Sequence, residues 1–114
     1  RRAEALLQAG FRDDLSTPGL AEYVGLGERT FVRRFKAATG RLPAAYLQAI
    51  RVEAAKALLE RDASPVQSVS LEVGYEDVAF FRQVFKRATG MTPAEYRAHF
   101  APLHVRGQPA LEAP

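Results

Sequence analysis

The sequence predicts an all-α fold in two related halves, and three observations carry that expectation. First, Phe31-x-x-x-Phe35-Lys36-x-Ala38-Thr39-Gly40-x-x-Pro43-Ala44-x-Tyr46 recurs 50 positions later as Phe81-x-x-x-Phe85-Lys86-x-Ala88-Thr89-Gly90-x-x-Pro93-Ala94-x-Tyr96. Upstream, Leu20-Ala21-Glu22-Tyr23-Val24-Gly25-Leu26 matches Val69-Ser70-Leu71-Glu72-Val73-Gly74-Tyr75 at an offset of 49, so the second copy is one residue longer between Gly74 and Phe81. Two copies are too few for a solenoid and describe two homologous small modules. Second, each copy sets apolar residues at helical spacing between residues that start and stop helices. Third, the stretch from Ala44 to Arg61 between the copies holds neither Gly nor Pro.

Length and composition agree. A chain of 114 residues with 47% hydrophobic and 25% charged residues has the balance of an ordinary globular domain. Zero Cys removes disulfides, thiolate nucleophiles and cysteine-ligated metal sites, and makes the cytoplasm the expected compartment. No apolar run approaches the roughly 20 residues of a membrane helix, and no signal pattern opens the chain. The first residue is Arg1 rather than Met, so the sequence is expected to be part of a longer protein.

Taken in order, Arg2 to Gly10 reads as a short amphipathic helix with Ala3, Leu6 and Leu7 inward. Ser16 or Thr17 can cap a helix with Pro18 near its start and with Leu20, Ala21 and Val24 buried, which Gly25 breaks. A second helix runs from about Glu28 to Thr39 with Phe31, Phe35 and Ala38 on one face, and stops at Gly40. The pair is a helix-turn-helix. From Pro43 to Arg61 one helix is expected, with Tyr46, Leu47, Ile50, Ala54 and Leu58 recurring at helical spacing. At about 1.5 Å per residue it spans roughly 27 Å and would hold the modules at a set distance. In the second copy Ser64 caps and Pro65 starts a helix burying Val66, Val69 and Val73. Gly74 turns, Asp77 caps, and Phe81, Phe85 and Ala88 point inward until Gly90. Pro93 to Phe100 closes this module. The expected organisation is a first helix-turn-helix module over residues 1–42, a linker helix over 43–61, a second module over 62–101 and a flexible C-terminal tail over 102–114.

The net charge of +3 is unevenly placed: residues 1–61 hold 11 Lys/Arg against 7 Asp/Glu, and residues 62–114 hold 5 against 6. The excess concentrates in Arg29, Arg33, Arg34, Lys36 and Arg41, which face only Glu28. With Phe31 set at zero and 100° per residue, Arg29, Arg33 and Lys36 fall at roughly 140° to 200°, opposite the core. A solvated face is the plain explanation of such a run. A helix entering a major groove needs the same arrangement, because Arg can donate twice to guanine O6 and N7 while Lys neutralises phosphate. The corresponding face of the second helix carries Ala79, Gln83 and Lys86, flanked by Arg82 and Arg87. Gln suits adenine, and Val78 or Ala79 suits a thymine methyl. Phe80 lies beside this face, where it either shields the turn or touches the sugar-phosphate backbone. His99 and His104 have no second ligand or nucleophile at a useful spacing, and no paired carboxylates, nucleophile set or phosphate loop appears. Neither a catalytic site nor a cofactor or metal is expected.

The first repeat, Leu20-Ala21-x-x-Val24-Gly25-Leu26, then Arg29-Thr30-Phe31-x-Arg33-Arg34-Phe35-Lys36-x-x-Thr39-Gly40 and Pro43-x-x-Tyr46-Leu47, resembles the AraC/XylS family of bacterial transcriptional regulators. Arg51-Val52-Glu53-Ala54-Ala55-x-x-Leu58-Leu59 is similar to its linker helix. Val73-Gly74-Tyr75-x-Asp77-x-x-Phe80-Phe81-x-x-x-Phe85-Lys86, Gly90 and Pro93-x-x-Tyr96-Arg97 are similar to its C-terminal signature. The resemblance implies seven helices, two helix-turn-helix modules joined by a long linker helix, and two recognition helices in successive major grooves of an operator. Carried over by position, base reading falls on Arg29, Val32 and Arg33 in the first helix and on Val78, Ala79, Arg82 and Gln83 in the second, with Lys36 and Lys86 beside them. Gly27 stands where the family has a small polar residue, and Gln83 where an Arg is common. The resemblance also implies RNA polymerase as a partner and an N-terminal effector-binding or dimerisation domain in the parent protein. Two other readings of the residues are a nonspecific DNA-binding module attached to a repair protein and a helical module whose basic face meets an acidic protein.

Overall fold

The computed structural model describes residues 1–105 and is helical throughout, with no strand among the described residues. Among the described residues seven helices follow one another, α1 (Arg2–Gly10), α2 (Thr17–Val24), α3 (Glu28–Thr39), α4 (Pro43–Arg61), α5 (Val66–Glu72), α6 (Val78–Thr89) and α7 (Pro93–Phe100), and a further helical turn covers 103–105. The chain divides into two compact units, Arg1–Arg51 and Val52–Pro114, and the division falls inside α4. Residues of this helix therefore serve two cores. Leu47 is buried with Ala3, Leu7, Leu20, Ala21, Phe31 and Phe35 of the first unit. Val52, Ala55, Leu58 and Leu59 are among the buried residues of the second.

The duplication in sequence is a duplication in packing. Phe31 and Phe35 pair at 5.6 Å and 52°, and Phe81 and Phe85 at 5.8 Å and 52°. Tyr46 then stands edge-on to Phe35, and Tyr96 edge-on to Phe85. The repeated Ala-Thr-Gly closes both recognition helices in one way. The Thr39 hydroxyl donates to the Phe35 carbonyl at 2.9 Å and accepts from the Arg41 N–H, as Thr89 does with Phe85 and Met91. Gly40 and Gly90 then take φ of 80° and 82°, the left-handed conformation that costs a residue without Cβ least. The structure also extends the repeat backwards. Ala3-Glu4-Ala5-Leu6-Leu7 of α1 corresponds to Ala55-Lys56-Ala57-Leu58-Leu59 of α4, and Ala3, Leu7, Ala55 and Leu59 are all buried. Each unit is thus an opening helix, a helix-turn-helix and a closing helix.

A guanidinium on each closing helix reaches carbonyls where the opening helix ends. In the first unit Arg51 donates through Nε to the Phe11 carbonyl at 2.7 Å and through a terminal nitrogen to the Asp13 carbonyl at 2.8 Å. In the second, buried Arg97 donates through Nε to the Leu59 carbonyl at 3.1 Å, satisfying one of the orphan carbonyls in the last turn of α4. Burial lowers the pKa of Arg97, and the nearby Asp62 carboxylate opposes that shift. Its neighbour Tyr96 donates to the Glu60 carboxylate. Burial first, and that hydrogen bond second, push the Tyr96 phenol up to about 12 from its ordinary 10. The fold favours the protonated phenol, so its contribution to stability is complete below pH 10 and is lost as pH rises through about 12. Subtracting the alkaline titration of Tyr96→Phe from that of the parent should leave one phenol ionising near pH 12; a difference centred near pH 10 would contradict the Tyr96–Glu60 assignment.

Three expectations need correction. Ala38 and Ala88 are exposed, Ala38 because it faces an open hollow beside α1, and Val84 is the residue buried with Phe81 and Phe85. Ser64 does not cap α5. Pro65 occupies the cap position without a side-chain bond, and the Ser64 N–H instead donates to the Asp62 carboxylate; the Ser64 hydroxyl first, and this N–H second, lower the pKa of that acid. Residues 103–105, expected within the tail, are helical: the Val105 N–H donates to the Pro102 carbonyl, and the Val105 side chain is buried. Residues 106–114 of that expected tail lie outside the described residues.

Candidate nucleic-acid interface

The two turns that present α3 and α6 differ by the extra residue of the second copy. Between Gly25 and Glu28 stand Leu26 and Gly27; between Gly74 and Val78 stand Tyr75, Glu76 and Asp77. The added residue gives α6 a cap that α3 lacks. The Asp77 carboxylate accepts from the Ala79 and Phe80 N–H groups at 2.9 and 3.2 Å, whereas Gly27 offers no side chain to the first turn of α3. α6 therefore begins under a carboxylate that bonds its first N–H groups, whereas α3 has an acid, Glu28, in its first turn but no side-chain cap.

Along α3, Arg29, Arg33 and Lys36 are exposed and make no hydrogen bond or ion pair among the described residues. Val32 is half-buried and packs against the core of the first unit, so little of its side chain is free to meet a ligand. Along α6, Ala79, Arg82, Gln83 and Lys86 are exposed and Val78 is half-buried. Lys86 lies close enough to Glu95 to help hold that carboxyl below its ordinary range, after the Thr92 backbone and hydroxyl, which dominate. Phe80 is half-exposed and its ring stands 5.8 Å from Tyr75, edge-on; it shields the turn while keeping one face open. Each unit thus gathers its own sequence-predicted residues on the outer face of one helix. The charge on these faces differs: three unpaired cations on α3 against a glutamine, an alanine and two cations on α6.

No group of three or more His, Asp or Glu side chains converges to hold a metal among the described residues, and none of their helices is long and apolar enough to cross a membrane. The sequence reading missed the two guanidinium anchors. Their signal was present in Arg51 and Arg97, cations at otherwise core-facing positions of the closing helices.

Such an architecture defines a double helix-turn-helix domain. The helix-turn-helix domain family matches residues 20–99. The fold is similar to the C-terminal domain of AraT, a response regulator from Geobacillus stearothermophilus, with a TM-score of 0.87 and 30% identity over 90% of this chain and 85% of that one. It is similar to the DNA-binding domain of AdpA, a global transcriptional factor, solved in complex with a target DNA, with a TM-score of 0.84 and 31% identity over 94% and 95% of the two chains. The MmsAB operon regulatory protein of Pseudomonas aeruginosa is 36% identical over 78 residues, which are 68% of this chain and 25% of that protein. The chain belongs to the AraC type of the helix-turn-helix domain family, and it spans about a quarter of that curated relative.

Proposed function

We propose that this domain binds duplex DNA sequence-specifically on behalf of a bacterial transcriptional regulator, with α3 and α6 each entering a major groove. The observation that carries the reading is the unpaired Arg29, Arg33 and Lys36 face of α3, on the side of the helix opposite Phe31 and Phe35. Arg29 and Arg33 supply the forked donors that read guanine, and Lys36 a point charge for phosphate. On α6, Gln83 and Arg82 read bases, Val78 and Ala79 meet thymine methyls, and Lys86 meets phosphate. The outer face of α6 carries two cations, Arg82 and Lys86, against three on α3, so this helix contributes less affinity than α3.

The domain binds rather than catalyses, and it works in the cytoplasm. Its parent protein carries an N-terminal effector-binding or dimerisation domain and meets RNA polymerase at the promoter. The DNA-bound AdpA domain and the regulatory name of the MmsAB protein support the DNA-binding and regulatory part of this reading.

Affinity for duplex DNA should fall steeply with salt. About six phosphate contacts would give a log-log slope near −5. Fluorescence anisotropy with a labelled duplex between low and high salt measures it, and an affinity indifferent to salt would remove the electrostatic basis of the proposal.

A further inference from the structure

The first unit contains a hollow of about 390 Å³ on the α1 side of α3. Its walls are Ala3, Val24, Leu26, Phe31, Phe35 and Ala38, and its rim carries Arg1, Arg2, Arg34 and Glu4. The repeat indicates that this space is not a necessity of the architecture. At the position of Leu26 the second unit has Tyr75, buried, with its ring 5.7 Å from Phe81, the counterpart of Phe31. At the position of Arg34 it has Val84, also buried. The second unit fills with a phenol ring and an isopropyl group what the first lines with a smaller side chain and an outward cation. A mostly apolar hollow of this size suits a small molecule.

The rim decides the charge of the occupant. The side chains of Arg1, Arg2 and Arg34 outnumber that of Glu4. Arg2 is partly engaged, donating to the Tyr23 carbonyl and lying over the Tyr23 ring. Arg34 makes no hydrogen bond or ion pair among the described residues.

We propose that this hollow binds a small organic acid, its aryl or alkyl body against Phe31, Phe35 and Leu26 and its carboxylate paired with Arg34. The proposal does not rest on the DNA reading, because Arg29, Arg33 and Lys36 do not line the hollow. It does bear on α3, which supplies Phe31, Arg34, Phe35 and Ala38 to the walls and rim.

The test uses the 114-residue chain without DNA, titrated with phenylbutyrate and, in parallel, with its neutral analogue phenylbutanol, while methyl resonances are followed by NMR. The expected result is saturable shifts of the Ala3, Val24, Leu26 and Ala38 methyls at an apparent Kd of about a millimolar or tighter, with Val69 and Val73 of the second unit unmoved. Arg34→Gln should weaken phenylbutyrate about tenfold and leave phenylbutanol unchanged, as the loss of one charge-assisted contact requires. Ala38→Leu, at an exposed helical position that tolerates the larger side chain, should fill the hollow and abolish both. Absence of saturation, equal shifts in the two units, equal affinity for acid and alcohol, or undiminished binding by Ala38→Leu would each overturn the proposal. Because these readouts need no DNA, their failure is distinct from failure of the proposed function.

Discussion

Replacing Phe81 with alanine is expected to remove about 3 to 5 kcal/mol from the stability of the second unit. Phe81 is fully buried, and its ring meets Tyr75 at 5.7 Å and Phe85 at 5.8 Å. Truncation removes transfer energy and leaves a cavity that two fixed aromatic neighbours cannot collapse to fill. Small domains hold about 5 to 15 kcal/mol in all, so the variant should be at the margin of folding. The adjacent Phe80→Ala is the control. Phe80 is 45% exposed and gains only an edge-on contact with Tyr75, so its loss should cost about 1 kcal/mol or less. Urea unfolding followed by circular dichroism separates the two, and equal losses would contradict the inward orientation of Phe81.

For binding, the largest effect is expected at Arg33. Arg33→Ala should cost about 1 to 3 kcal/mol on a preferred duplex and relax preference at one base pair, if the guanidinium spans the O6 and N7 edge of guanine. Arg33→Lys keeps the charge and loses the fork, so it should recover affinity for random DNA and not for the preferred site. Stability should be unaffected by either change, since Arg33 is exposed and without a partner among the described residues. Gln83→Ala should cost less than Arg33→Ala. Competition titrations against preferred and random duplexes measure all three, and equal losses for Arg33→Ala on both would make it a phosphate contact.

Much of the fold is legible in the sequence because backbone-driven signals dominate it. Gly40 and Gly90 take the left-handed conformation that the helix ends require, Ser16 caps α2 by accepting from the Gly19 N–H, and Thr92 and Glu95 form a reciprocal cap on α7. What escapes is set by neighbours distant in sequence. A helical wheel places Ala38 with Phe31 and Phe35, yet it does not know how closely neighbouring elements pack on that face, and Ala38 is left exposed at the hollow beside α1. Ser64 before Pro65 has the composition of a cap, but its N–H turns back to Asp62. Val105 stands in a stretch rich in Pro, Gly and Ala without apolar period, and only the three-dimensional surroundings show it buried. The candidate interface was more readable than these features. Exposed faces follow from periodicity alone, and Arg29, Arg33, Lys36, Ala79, Arg82, Gln83 and Lys86 are all exposed; Val32 and Val78, both half-buried, have less to offer than their positions in the repeat suggest.

The proposal that the domain reads DNA sequence is tested most directly by selecting bound sites from a pool of random duplexes with the intact 114-residue chain. The expected result is an enriched motif of two blocks about one helical turn apart, with the more sharply defined block lost when Arg29 and Arg33 are replaced by Ala. A pool that stays random through successive rounds, while binding remains salt-sensitive, would contradict sequence-specific reading and leave only nonspecific attraction to the duplex.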